Sequence, residues 1–181
     1  MSADQLARLI REQLDHSAQV EIDGLGVFTR GKEGRISFKR ARGPRVFIAY
    51  AIEDLRSALD LFEALENQGY EPWIDRRKLL PGQNWLRRIE DAISSSDFFI
   101  ACFSRNSAQK RGGFQAEIRH ALDCARRMPL DDVFMIPVRL DDCRVPRAIE
   151  REMQYVDLFP SFETGFNRIV DIIEGQLRAA A

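Results

Sequence analysis

From Arg45 onward, short apolar runs alternate with longer stretches whose apolar residues recur every three or four positions. The runs at 46–50, 70–75, 97–103, 133–140 and 155–159 read as strands. Two of them are nearly continuous in apolar residues, as strands covered on both faces must be. The periodic stretches at 53–68, 84–95, 113–128 and 162–178 read as amphipathic helices, with a short helical turn near 146–152. Strand and helix alternating through short loops specify a doubly wound parallel α/β sheet with helices on both faces.

Before Arg45 the pattern is different. Leu6, Leu9, Ile10 and Leu14 mark one face of a short helix over 5–14. Three short strands follow, at 20–22, 27–29 and 35–38, separated by glycine-containing turns. The basic Lys39-Arg40-Ala41-Arg42-Gly43-Pro44 run breaks the composition. The organisation expected is thus a small α+β segment over 1–39, a linker over 40–44 and one α/β domain over 45–178. Forty residues bury little apolar surface by themselves, so this segment is expected to dock on a partner, on the main domain or on its own copy.

Composition narrows the function classes. Across 181 residues the chain is 45% hydrophobic and 30% charged, with a formal net charge of −1. That is ordinary for a globular domain and offers no basic field for nucleic acid. No apolar run reaches the ~20 residues that span a bilayer, and the first residues lack a signal pattern, so the expected location is cytoplasmic, with no membrane partner. Cys102, Cys124 and Cys143 are odd in number and widely spaced, and only His16 and His120 could join them. No metal site and no cofactor are expected from such a set.

The candidate chemistry sits on the third helix of the α/β region. Phe114, Ile118, Ala121, Leu122 and Ala125 form its apolar stripe, and Glu117 projects from the stripe's edge. An acid there, just past the end of a strand, lies where open α/β sheets bind ligands. Glutamates in first helical turns also serve the helix dipole alone. The loop after the second strand is the other unusual segment. Arg76, Arg77 and Lys78 precede Leu79, Leu80, a Pro81-Gly82 turn and Trp85. Two leucines on a loop imply a contact surface, or a hydrophobic tuck onto the domain's own edge. There is no G-x-x-x-x-G-K-[ST] loop and no G-x-G-x-x-G after the first strand. A phosphoacceptor receiver is excluded by Phe103-Ser104, which stands where its aspartate would be.

Several ordered blocks resemble Toll/interleukin-1 receptor (TIR) domains. Val46-Phe47-Ile48-Ala49-Tyr50-Ala51-Ile52-Glu53-Asp54 resembles their opening motif, and the stretch from Trp73 to Trp85 resembles their BB loop. Lys110-Arg111-Gly112-Gly113-Phe114-Gln115-Ala116-Glu117 is similar to the start of the third helix in bacterial members. Ile136-Pro137-Val138-Arg139-Leu140-Asp141-Asp142-Cys143 and Tyr155-Val156-Asp157-Leu158-Phe159 are similar to the last two strands. The resemblance implies a flavodoxin-like five-stranded parallel sheet that works by self-association, as a signalling scaffold or as an enzyme cleaving or cyclising NAD+.

For an enzyme, the resemblance implies that Glu117 is catalytic and NAD+ the substrate. Tyr50, Ala51, Arg76, Arg77, Lys78 and Phe114 would then bind it, with Tyr50 and Phe114 as aromatic walls. Leu79, Leu80, Pro81, Gly82 and Trp85 would serve association, and an upstream sensor protein would be a further partner in antiphage or stress signalling. Two positions depart from the family pattern: Gly113 and Phe114 replace a frequent Trp-Cys pair, and Ala49 replaces a serine. A non-catalytic adaptor is the rival reading, and a nucleoside deoxyribosyltransferase-like enzyme a third. The Val20-Glu21-Ile22-Asp23-Gly24-Leu25-Gly26-Val27-Phe28 stretch is similar to a strand turn of HU-like nucleoid proteins. The eight Lys/Arg against six Asp/Glu in residues 1–43 do not suit DNA wrapping.

Overall fold

A computed structural model describes residues 3–22, 25–31, 34–40, 43–74, 85–107, 112–129 and 131–179. The chain divides into two compact units, Met1–Gly43 and Pro44–Ala181.

The first unit is a helix followed by a meander. Helix α1 (Ala3–His16) precedes strands β1 (Gln19–Ile22), β2 (Gly26–Arg30) and β3 (Ile36–Arg40), paired antiparallel in the order β1-β2-β3. Ile10 and Leu14 are buried, but Leu9 is 51% exposed, so the helix's apolar stripe is narrower than its spacing suggests. Phe28 and Phe38, opposite each other in the β2–β3 register, stack with centroids 4.4 Å apart. Ile36 and Phe38 on the edge strand remain exposed.

The second unit is the α/β sandwich the sequence pattern predicts. Strands β4 (Arg45–Ala49), β5 (Glu71–Trp73), β6 (Phe98–Phe103), β7 (Met135–Arg139) and β8 (Val156–Asp157) form one parallel sheet in the order β5-β4-β6-β7-β8. Helices α2 (Leu55–Asn67), α3 (Trp85–Ser94), α4 (Gly113–Ala125), α5 (Arg147–Glu150) and α6 (Phe162–Ala179) complete it. The strict alternation of strand side chains divides the core into two layers. Val46, Ile48, Tyr50, Ile100 and Cys102 pack with residues of α2 and α6. Phe47, Ala49, Phe99, Ala101 and Phe103 pack with residues of α3 and α4. Across the second layer, Trp73, Phe47, Phe99 and Phe134 stack as a row, with successive centroids 4.7, 5.3 and 6.3 Å apart.

The edge strands are shorter than the apolar runs imply. The run at 70–75 contributes only Glu71–Trp73 to the ladder, and Asp75 lies outside the described residues. Tyr70 is buried against the helix layer instead. The run at 155–159 contributes only Val156–Asp157. Helix α2 begins after a 3-10 turn, Ile52–Asp54, and ends at Gly69, whose φ of 82° suits glycine. Its amide and that of Tyr70 close on Glu66 O and Leu65 O, as helix-terminating glycines do. No described helix is long and apolar enough to cross a membrane.

Candidate active site at the carboxyl ends of β4 and β6

The strand order reverses between β4 and β6, since the chain leaves these neighbours toward opposite edges of the sheet. Open α/β sheets bind ligands outside the carboxyl ends at such a point. Here the two loops concerned are joined by a network of short hydrogen bonds. The 3-10 turn after β4 closes with Asp54 N donating to Ala51 O at 2.8 Å and delivers the Asp54 side chain to the floor of the crevice. Ser104 Oγ donates to Asp54 Oδ2 at 2.5 Å, and Asn106 Nδ2 donates to Asp54 Oδ1 at 2.7 Å. Ser104 Oγ in turn accepts the backbone N–H groups of Asn106 and Ser107, at 3.0 and 3.1 Å. Ser107 Oγ accepts Ser104 N at 2.8 Å and donates to Ser104 O at 3.1 Å. Asp54, Ser104 and Ser107 are buried, so each polar atom needs the partner it has.

The same loop is held from its other side. Arg105 N donates to the Asp141 carboxylate at 3.1 Å, and Arg105 Nε to Asp142 O at 3.3 Å. Next to it, Arg139 makes a two-pronged pair with Asp157, at 2.5 and 2.8 Å, and donates to Cys143 O at 3.0 Å. Its guanidinium lies 4.5 Å from the Tyr155 ring centroid. The hydrogen bond to Asp157 drives the Arg139 pKa further above its ordinary value. This pair rivets β7 to β8, and its donors face protein groups.

Helix α4 starts one loop later. Gly112, with φ 126°, makes the turn into it, a conformation few side chains tolerate. Phe114 in its first turn packs edge-on against Phe103 at the end of β6, with centroids 5.8 Å apart. That contact fixes the helix start over the carboxyl end of the sheet. Glu117, half-buried, leans back along the helix toward its amino terminus, the direction helical side chains take. A Cβ placed on Gly113 would lie only 3.9 Å from Glu117 Oε1. The glycine therefore leaves the space beside the carboxylate unfilled, at the helix end that favours negative charge.

Of the residues singled out in the sequence, the structure places Tyr50, Ala51, Phe114 and Glu117 near this edge. Tyr50 and Phe114 were expected to wall one site together, but both are 8% exposed and belong to different core layers. Tyr50 packs with α2 and α6, and Phe114 with α3 and α4, because strand side chains alternate and the helices cover opposite faces. Ala51 is buried beneath the 3-10 turn. Trp85 opens α3. Arg76, Arg77, Lys78, Leu79, Leu80, Pro81 and Gly82 lie outside the described residues. Asp54, Asn106 and Ser107 were not singled out as site residues. An acid one turn past a strand end and a Ser-x-Asn-Ser run past another were the available signals.

Other candidate chemistry is weaker. Cys102 is fully buried, and burial, with the charge of Asp54, pushes its thiol pKa up. His120 Nε2 and Ser94 Oγ are 3.0 Å apart, joining α4 to α3. No group of three metal-ligating side chains occurs among the described residues. A cleft of about 320 Å³ beside Arg45, Glu71, Trp73 and Arg88 lies at the amino ends of β4 and β5, away from the switch point.

The fold of the second unit has counterparts among known proteins. The family model described as TIR domain matches residues 46–170. The chain belongs to the TIR domain family. One relative, the uncharacterized protein y4cD of Sinorhizobium fredii, is 25% identical over 112 residues, which is 62% of this chain and 17% of that protein. The match thus spans about a sixth of the relative's length. The TIR domain of the Toll-related receptor TRR-2 from Hydra magnipapillata superposes with a TM-score of 0.60 at 23% identity, covering 71% of this chain and 97% of that one. A metazoan TIR-STING receptor from C. gigas, in complex with 2',3'-cGAMP, gives a TM-score of 0.60 at 21% identity, covering 76% and 41%. At these identities the likeness to the two structures is one of fold.

Proposed function

We propose that this TIR domain cleaves the nicotinamide–ribose bond of NAD+, with Glu117 as the catalytic carboxylate. The observation that carries the reading is the pose of Glu117: half-buried at the carboxyl end of the sheet, folded back over Gly113 and the amino end of α4. Breaking an N-glycosyl bond to a pyridinium passes through an oxocarbenium-like state at the ribose. A fixed carboxylate beside that carbon stabilises the developing positive charge. Nicotinamide leaves neutral and keeps the bonding pair, so no acid has to protonate it. Water then adds to the ribose carbon and releases a proton, giving ADP-ribose; attack by a group of the same molecule gives a cyclic product instead. Arg76, Arg77 and Lys78 are assigned to the pyrophosphate by charge. Self-association through Leu79, Leu80, Pro81, Gly82 and Trp85 is the proposed route to activity, in bacterial immune or stress signalling in the cytoplasm.

One observation favours the adaptor reading. Phe114, standing where enzymatic relatives often carry cysteine, is committed to the core against Phe103 and is only 8% exposed. Measuring nicotinamide release from NAD+ by wild type and Glu117→Gln, across protein concentration, separates the two. Release by wild type alone, rising faster than linearly with concentration, is the expected result. Equal release by both removes Glu117 from the mechanism. No release from demonstrably assembled wild type supports association as the whole function.

A further inference from the structure

Asn106 is exposed, yet its side chain is not loose. One amide N–H is committed to Asp54 Oδ1 at 2.7 Å, and its backbone N–H to Ser104 Oγ at 3.0 Å. Asp54 is itself buried and fixed through its other oxygen by Ser104. The neighbouring Arg105 is tied to Asp141 and Asp142. Asn106 therefore stands on a loop anchored to both adjacent loops, at the carboxyl end of the strand beside the switch point.

A carboxylate accepts hydrogen bonds only, so the nitrogen of the Asn106 amide must face Asp54. One N–H and the carbonyl oxygen of the amide remain for another partner. A second primary amide, which offers both an N–H and a C=O, can use that donor and that acceptor. Because the rotamer is already held, little side-chain entropy is lost when such a partner binds.

We infer that Asn106 is a specificity-determining residue that pairs with the carboxamide of a nicotinamide-bearing substrate. The inference rests on the NAD+-cleaving reading above and names the group that reads the leaving base. Nicotinamide is bonded directly to the ribose carbon assigned to Glu117, and Asn106 stands on the loop that leads into the Glu117 helix. The adenine edge, which also carries a donor beside an acceptor, is the competing partner that the test must separate.

The test uses the full chain as wild type, Asn106→Ala and Asn106→Ser. Serine keeps a donor for Asp54, so it carries the test if the alanine variant melts early. Equilibrium binding of carba-NAD+, which cannot be cleaved, is measured first. Steady-state kinetics follow with NAD+, its 3-acetylpyridine analogue, which lacks the amide N–H, and its hypoxanthine analogue, which lacks the adenine amine. Loss of a paired amide is expected to weaken carba-NAD+ binding and raise KM for NAD+ by about tenfold. The same penalty is expected with the hypoxanthine analogue and a clearly smaller one with the acetylpyridine analogue, which keeps the carbonyl but not the amide N–H. Equal penalties for NAD+ and the acetylpyridine analogue overturn the inference, as does a penalty lost only with hypoxanthine or no penalty at all. Wild type that binds carba-NAD+ through Asn106 but releases no nicotinamide refutes the cleavage reading and leaves this one standing. Wild type that does not bind carba-NAD+ overturns both.

Discussion

Asp54 and Ser104 stand fifty positions apart and share a 2.5 Å hydrogen bond between side chains of residues only 8% and 1% exposed. That bond joins the loop after β4 to the loop after β6, and so closes the floor of the crevice where the sheet's strand order reverses. Asn106 and Ser107 extend it into a network in which the Asp54 carboxylate is the hub.

Removing the hub leaves a buried hydroxyl and an amide without their acceptor. Asp54→Ala is expected to cost about 3 kcal/mol of stability, and Asp54→Asn about half as much, since the amide oxygen still accepts one bond. Urea unfolding midpoints at unchanged slope measure both. A loss below about 1 kcal/mol in the alanine variant would make the network incidental.

Two glycines of α6 should respond in opposite directions. A Cβ on Gly165 would lie 2.1 Å from Asp157 O and 2.9 Å from Leu158 Cδ2, so the helix sits on β8 at backbone contact. Gly165→Ala is expected to cost about 3 kcal/mol or to prevent folding, because rigid backbone must move. Gly175 has nothing within 4 Å of its would-be Cβ. Gly175→Ala is expected to add about 0.5–1 kcal/mol through helix propensity alone. Thermal melts of the two variants should shift to opposite sides of wild type, and shifts of the same sign would refute the packing argument.

Alkaline pH should loosen the α/β unit through its buried thiols. Burial pushes the Cys143 thiol up to about 11 from 9.0, with the Asp141 carboxylate adding to the shift, and it drives the Cys102 thiol up as well. The unfolded chain therefore loses these protons first. Their contribution to stability is complete below pH 9.0 and declines as pH rises toward the folded value of about 11, following proton linkage. Unfolding free energy measured at intervals across that window should fall more steeply for wild type than for Cys102→Ala or Cys143→Ala. Parallel curves for all three proteins would count against it.

The layered α/β architecture was legible because it follows from local pattern. Val46-Phe47-Ile48-Ala49-Tyr50 could only be a strand covered on both faces, and its alternate residues do divide between the two core layers. Glu117 was legible for the same reason, as an acid on the edge of a helix whose apolar stripe fixes its orientation. The ends of β5 and β8 were not. An edge strand pairs on one side only, so the apolar character of Tyr70 is satisfied by the helix layer rather than by the ladder. Leu9 keeps its helical spacing yet stays 51% exposed.

The sequence by itself determined which segments are strands and helices, which faces they bury, and that an acid stands at the start of the third α/β helix. Periodicity encodes these, because each depends on residues a few positions apart. Only the tertiary structure decided that β4 lies beside β6, that Asp54 meets Ser104 and Asn106 there, and that Tyr50 and Phe114 turn to opposite layers. Those outcomes depend on strand order and on contacts between distant segments, and a one-dimensional pattern of apolar and polar residues carries no information about which strands become neighbours.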